Sequence, residues 1–317
     1  MKRALLVGID EYANFNRLAG CCNDVKALEP LLARHADSTK NFDCAALVSA
    51  SGPVKRDAFI SALDSLLAPS ANVALLYFAG HGMQLTNDVA LVTTDGTAAT
   101  PGVSFSEILT KIQHSQVPEV IVVLDCCFSG AAGGVPQLGG AAASIKSGVT
   151  MLSASRSDQT AAETAAHRGL FSTYLCAALE GGAADTLGNI TVAGLYAYLS
   201  ELFGAWDQRP TFKANVDRLH QLRQAEPAMA LSHLRHMLAL FPTADYILPL
   251  DPAYEPDVEP HDEKKEADFG MLQKGRSAKL INPVGEDHLY FAAVRSRGCQ
   301  LTALGQHYWQ LVQKDLI

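Results

Sequence analysis

The chain predicts an α/β fold, with a mostly parallel β-sheet flanked by helices and a small, mainly helical C-terminal domain. Three observations carry this expectation. Short, almost purely apolar runs of strand length recur through the first two-thirds of the sequence. Segments of helical periodicity alternate with them, the pattern of a buried parallel sheet covered on both faces. After Asn215 the composition shifts, passes through a Pro- and acid-rich stretch, and returns to apolar helical periodicity.

The elements follow in order. Arg3–Ile9 is a first buried strand, since its apolar stretch is too short for a signal peptide. Phe42–Val48, Val73–Ala79, Val120–Asp125 and Gly148–Ser153 read as the further strands, each an apolar run bounded by small or polar residues. Asn23–His35, Lys55–Leu67, Ser104–Ile112, Leu170–Leu179 and Val192–Phe203 carry the intervening helical patterns. Beyond them, Ala228–Leu240 reads as an amphipathic helix, Pro249–Lys265 as a linker, and Leu301–Val312 as a helix capped by Thr302. These boundaries give a first domain over residues 1–220, a helix and linker over 221–265, and a small domain over 266–317.

Composition narrows the function classes. The chain has 317 residues, 48% of them hydrophobic and 18% charged, with a net charge of −8. That balance speaks against general nucleic-acid binding. Basic and acidic residues nearly cancel across Asp262–Ile317, so the tail carries no nucleic-acid footprint either. No run approaches the ~20 apolar residues of a membrane span. Seven cysteines, two pairs of them adjacent, form neither a disulfide framework nor a metal-binding spacing, which points to a reducing, cytoplasmic setting and no metal site.

Two strands end in chemistry. VALLYFAGHG at Val73–Gly82 delivers His81, and VIVVLDCCFSG at Val120–Gly130 delivers two thiols. The chain between them is long enough for a helical crossover, so both strands fit side by side in one parallel sheet. Ligands bind outside the carboxyl ends of such strands. A histidine and a cysteine meeting there suggest a thiol nucleophile with its base. The glycines around His81 allow close substrate approach, and the Gly82 amide is a candidate donor to a developing oxyanion. Cys126 and Cys127 point in opposite directions along an extended segment, and their chemistry does not choose between them. The Gly/Ala-rich stretch between Ser129 and Ser147 reads as a loop beside the site, open to proteolytic processing.

Taken together, ALLVGIDEY at the N-terminus, LAGCCND at Leu18–Asp24, YFAGHG at Tyr77–Gly82 and LDCCFSG at Leu124–Gly130 resemble the caspase-like cysteine peptidases of clan CD, in particular their metacaspase and bacterial orthocaspase branch. SASRSDQTAAE at Ser153–Glu163 and GLFSTYLCAAL at Gly169–Leu179 fit the same family, and the resemblance covers about residues 1–215. It implies a caspase-like sheet, Cys127 as nucleophile, His81 as base, and the amides of Gly82 and Cys127 as the oxyanion hole. It also implies a pocket for Arg or Lys built from Asp24 and Asp125 and lined by Cys21. Two carboxylates in a partly dehydrated pocket favour a cation, and bidentate pairing favours Arg. Ala79 stands where many relatives carry Ser, and Phe128 where His is common.

The resemblance further implies self-cleavage after a basic residue in the loop that follows the nucleophile. Lys146 is the candidate, with Arg156 and Arg168 as later options. Many metacaspases need calcium; Asp88 and Asp95 lie after His81, but they form no ligand series of the usual kind. No other cofactor is expected. The C-terminal segment resembles winged-helix or effector-associated domains, which implies docking of an activating protein partner. The expected activity is therefore an endopeptidase acting on protein or peptide substrates. The alternative is a caspase-fold adaptor without catalysis.

Overall fold

A computed structural model describes residues 1–86, 88–129, 146–154, 168–203, 210–217 and 219–317, the side chains of Cys127, Phe128 and Ser129 lying outside that description. By contacts the chain divides into two units, one of Met1–Ala184 with Asn189–Ala225, the other of Asp185–Gly188 with Glu226–Ile317.

In chain order the first unit comprises β1 (Lys2–Gly8), α1 (Cys21–Ala33), β2 (Phe42–Val48), α2 (Arg56–Leu66), β3 (Val73–Gln84), β4 (Val89–Val92), β5 (Gly102–Ser104), α3 (Phe105–His114), β6 (Glu119–Ser129), β7 (Val149–Ser153), α4 (Leu170–Ala177), β8 (Asn189–Thr191), α5 (Val192–Leu202), β9 (Thr211–Asn215) and β10 (Gln221–Gln224). Eight strands form one sheet, ordered β2-β1-β3-β6-β7-β9, with β4 added to β3 and β5 to β4. The pairs β1–β2, β1–β3, β3–β6 and β6–β7 are parallel. The pairs β7–β9, β3–β4 and β4–β5 are antiparallel.

Strand alternation sorts the apolar side chains into two cores. On one face Leu5, Val7, Phe78, Leu124 and Cys126 pack against Phe59 and Leu63 of α2 and Ile108 of α3. On the other, Leu6, Leu75, Tyr77 and Val123 pack against Leu28 of α1, Phe171 of α4 and Leu199 of α5. The central strands are apolar on both faces because both are covered, which is why they read as continuous apolar runs.

The central strands run further than the apolar runs predict. β3 continues to Gln84 and β6 to Ser129, so His81 and Cys127 lie within strands rather than just past them. Main-chain pairing holds this extension: the β3–β6 register persists through Met83 and Ser129, while Gly82–Gln84 also pair with β4.

The second unit contains α6 (Leu231–Ala239), β11 (Ile247–Pro249), α7 (Glu263–Ser277), β12 (Ile281–Val284), α8 (Leu289–Val294), β13 (Gly298–Leu301) and α9 (Ala303–Gln313). Its strands form an antiparallel sheet ordered β11-β13-β12, an addition to the helices the sequence predicts. Leu234, Met237, Phe269, Leu272 and Leu301 share its core. The stretch expected as a linker is folded into this unit. Leu248 and Leu250 are buried in that core, Asp251 accepts from Ala253 N at 3.0 Å, and Asp262 caps α7 by accepting from the amides of Lys264 and Lys265. Acids that read as linker composition are turn and helix caps here. Thr302 caps α9 through Gly305 N at 3.1 Å. Among the described residues no helix is long and apolar enough to cross a membrane.

Candidate active site

The site is built first by β-sheet register. His81 on β3 and Cys127 on β6 are direct partners in the parallel ladder, one rung beyond Gly80 and Cys126 and two beyond Ala79 and Asp125. Side-chain period then separates the two thiols. Cys126 is 1% exposed and sits in the core beside Phe78 and Leu124. Residue 127 has the opposite parity, that of Val123 and Asp125. The Cys127 side chain itself lies outside the described residues, as does Gly/Ala-rich segment 130–145.

The loop after β1 holds His81. His81 Nε2 lies 2.7 Å from the Asn16 carbonyl oxygen. A carbonyl only accepts, so Nε2 carries the proton in this contact and Nδ1 of the neutral ring keeps its lone pair. Tyr12 reinforces the arrangement: its hydroxyl donates to Ile9 O at 3.0 Å and accepts from His81 N at 2.8 Å. Its ring centroid is 4.8 Å from the imidazole. Sequence reasoning missed both Asn16 and Tyr12. A main-chain acceptor has no residue signature, but Tyr12 belongs to the GIDEY motif and was within reach.

The same motif supplies Asp10. Its carboxylate accepts from Cys21 N at 2.8 Å and Cys22 N at 3.1 Å, covering the N-terminus of α1. α1 in turn carries Asp24 to the sheet. The first motif therefore anchors the second.

Asp24 is 2% exposed. It accepts from Ser172 Oγ at 2.6 Å and from Gly169 N at 3.2 Å, and Arg168 Nε stands 3.5 Å away. Burial pushes its pKa up to about 6. The neighbouring Asp125 charge acts in the same direction, while Ser172, Gly169 and Arg168 pull it back. Asp125 is also buried, and Tyr77 OH donates to its Oδ2 at 3.3 Å. Cys21 completes the group: its thiol pKa is raised by burial and then by Asp10, Asp125 and Asp24. The Asp125 and Asp24 charges thus both act on the Cys21 thiol. Burial and these charges keep the Cys21 thiol protonated, which disfavours it as a nucleophile.

The remaining expectations fall elsewhere. Gly82 stands opposite Phe128 in one ladder and Leu91 in the other. Lys146 Nζ donates to Ser115 O at 2.5 Å, at the C-terminal end of α3, so it is a tethered helix-end cation rather than a free loop side chain. Arg156 lies outside the described residues. Arg168 also donates through Nη2 to Cys176 Sγ at 3.0 Å, along α4. Asp88 accepts from Ser106 Oγ and Ser106 N, and Asp95 from Arg56 N and Thr93 Oγ, so the two acids after His81 serve separate local networks. Among the described residues no group of three or more His, Cys, Asp or Glu side chains is placed to hold a metal ion.

The caspase domain family matches residues 1–219. The chain belongs to the caspase family. The match ends close to Ala225, where the first unit ends. Among solved structures, caspase-1 from Spodoptera frugiperda superposes with a TM-score of 0.52 at 11% identity, covering 71% of this chain and 90% of that one. At such identity the likeness is one of fold: the caspase sheet and its flanking helices. No curated protein sequence matches the chain. Caspase-family membership makes a cysteine peptidase acting on protein substrates the general class of this chain.

Proposed function

We propose that this caspase-family chain is a cysteine endopeptidase of the metacaspase–orthocaspase type that cuts after Arg or Lys. The observation that carries the proposal is the register partnership of His81 with Cys127, two rungs beyond Asp125, with Asp24 and Cys21 beside that acid. His81 Nδ1 takes the Cys127 proton, and the thiolate attacks the scissile carbonyl carbon. The amides of Gly82 and Cys127 receive the oxyanion. The leaving amine takes the proton from His81 as the carbon–nitrogen bond breaks, and water then hydrolyses the thioester.

The acid pair supplies the preference for a cation at the residue before the cut. Its fourfold enclosure by Ser172, Gly169, Arg168 and Tyr77 supports a latent form, opened by an activating protein partner on the C-terminal unit or by self-cleavage. The cysteine spacing, which suggests no disulfide framework, favours a reducing, cytoplasmic setting. The balanced charge of the tail favours a protein over nucleic acid as its partner.

Fluorogenic peptides ending in Arg, Lys or Asp test the proposal, with wild type and Cys127→Ala compared with and without calcium. Turnover of Arg and Lys peptides by wild type alone is expected, and the calcium arm decides whether the ion is required. Preference for Asp would remove the acid-pocket assignment. Absence of turnover with every peptide, in both ion conditions and with self-processed protein, would favour the non-catalytic adaptor.

A further inference from the structure

We infer that Tyr12 is a positioning residue for His81, setting both the place of the imidazole and the nitrogen it presents; this rests on the assignment of His81 as the base. Six contacts carry the inference. The Tyr12 hydroxyl joins the ends of two paired strands, donating to Ile9 O after β1 and accepting from His81 N on β3. Its ring lies against the imidazole at 4.8 Å, tilted by 47°. Its own segment is pinned away from the sheet end by Ala13 N to Thr94 O at 2.9 Å and Asn14 Nδ2 to Gly96 O at 2.9 Å. That pinned segment presents Asn16 O to His81 Nε2 at 2.7 Å.

The hydroxyl reaches its place only because residue 80 is glycine. A Cβ there would lie 2.6 Å from Tyr12 Oη and 2.9 Å from Phe78 Cζ, closer than van der Waals packing permits. The AGHG motif thus has a second use besides substrate approach: it opens the space through which Tyr12 grips the main chain of the base. Tyr12 is half-buried, and loss of solvent around its hydroxyl raises its pKa, so the hydroxyl remains a donor to Ile9 while it accepts from His81.

The arrangement has consequences for the reaction. A base displaced by about 1 Å loses up to ~100-fold in rate through lost alignment alone. The Tyr12 ring also packs against the imidazole at 4.8 Å and so limits its rotation during proton transfer. Two substitutions separate these contributions. Tyr12→Phe keeps the ring and removes the hydroxyl; Tyr12→Leu removes both.

The test uses full-length protein, with folding of each variant checked by circular dichroism. With Arg peptides, Tyr12→Phe is expected to lower kcat about tenfold and Tyr12→Leu about a hundredfold, with KM within about twofold in both. Nitrogen NMR of histidine-labelled protein, with His81→Ala identifying the signal, gives a readout that needs no turnover. His81 is expected as the Nε2–H tautomer in wild type and as a tautomer mixture in Tyr12→Leu. A wild-type tautomer protonated on Nδ1, or an unchanged His81 signal in folded Tyr12→Leu, overturns the inference whether or not peptides are cleaved. So does a kcat within about twofold of wild type in both variants. Absence of peptide cleavage in wild type counts against the proposed activity, and the NMR comparison then decides the role of Tyr12 alone.

Discussion

Arg168 Nε stands 3.5 Å from Asp24 Oδ1, so one of the two acids proposed to read a substrate cation already faces a cation of its own chain. Arg168 is further held by Ser172 O, Ser172 Oγ and Cys176 Sγ, at 3.0–3.3 Å. The contact is short enough to compete with an incoming guanidinium and is anchored along α4.

Arg168→Met keeps the apolar stem and removes the guanidinium. KM for Arg peptides is expected to fall several-fold, and the Asp24 pKa to rise further, because the Arg168 charge is among the influences that lower it. Steady-state kinetics above pH 8, where Asp24 is ionised in either protein, isolate the first effect. A rise in KM would make Arg168 a support of the pocket rather than a competitor for it.

Asp24 gives the proposed pocket a pH response. With its pKa near 6, the carboxyl is about ten to one ionised at pH 7 and about ten to one protonated at pH 5. KM for Arg peptides is therefore expected to rise as pH falls through 6, and Asp24→Asn to show the higher KM at both ends. Stability moves oppositely. The folded pKa lies above the unfolded value near 4, so the folded state binds the extra proton, and Asp24 costs stability as pH rises through that window. Chemical denaturation at pH 4.5 and 7, comparing wild type with Asp24→Asn, reads that difference.

The two neighbouring thiols should separate by experiment. Cys127→Ala is expected to abolish turnover with little change in the unfolding midpoint. Cys126→Ala, at a core position 1% exposed, is expected to cost on the order of 1 kcal/mol while kcat stays within a few-fold. Equal activity of the two variants in the peptide assay would reject Cys127 as nucleophile.

Asp10 holds the first two amides of α1, and Asp10→Ala leaves them without that acceptor. A loss of about 1–2 kcal/mol is expected, the usual cost of a helix N-terminal acceptor, seen as a lower denaturation midpoint of the first unit. Because α1 carries Asp24, KM for Arg peptides should rise as well.

Much of this arrangement was legible in the residues. Apolar runs of strand length identified β1, β2, β3, β6 and β7, and their ends pointed at His81 and the adjacent thiols. The family resemblance added Cys127, Asp24 and Asp125 to the proposed site. What stayed hidden has physical causes. β4, β5 and β9 are three to five residues long, too short to display a period. The second unit buries leucines from a segment whose prolines and acids dominate its composition. Arg168 meets Asp24 across 144 positions of chain, a distance that spacing alone does not bridge. Asn16 acts through its carbonyl, which every residue type possesses.

The β3–β6 ladder runs for eleven rungs, from Val73 opposite Glu119 to Met83 opposite Ser129. It works as a ruler. A slip of one rung would set Cys126 against His81 and send every buried side chain of β6 to the wrong face. The hydrophobic interior therefore proofreads the chemistry: the leucines and valines that fill both cores also select which of two identical thiols stands opposite the histidine. Substitutions at Asp24 or Arg168, which lie off this ladder, are expected to alter KM for Arg peptides while the His81–Cys127 register stays in place.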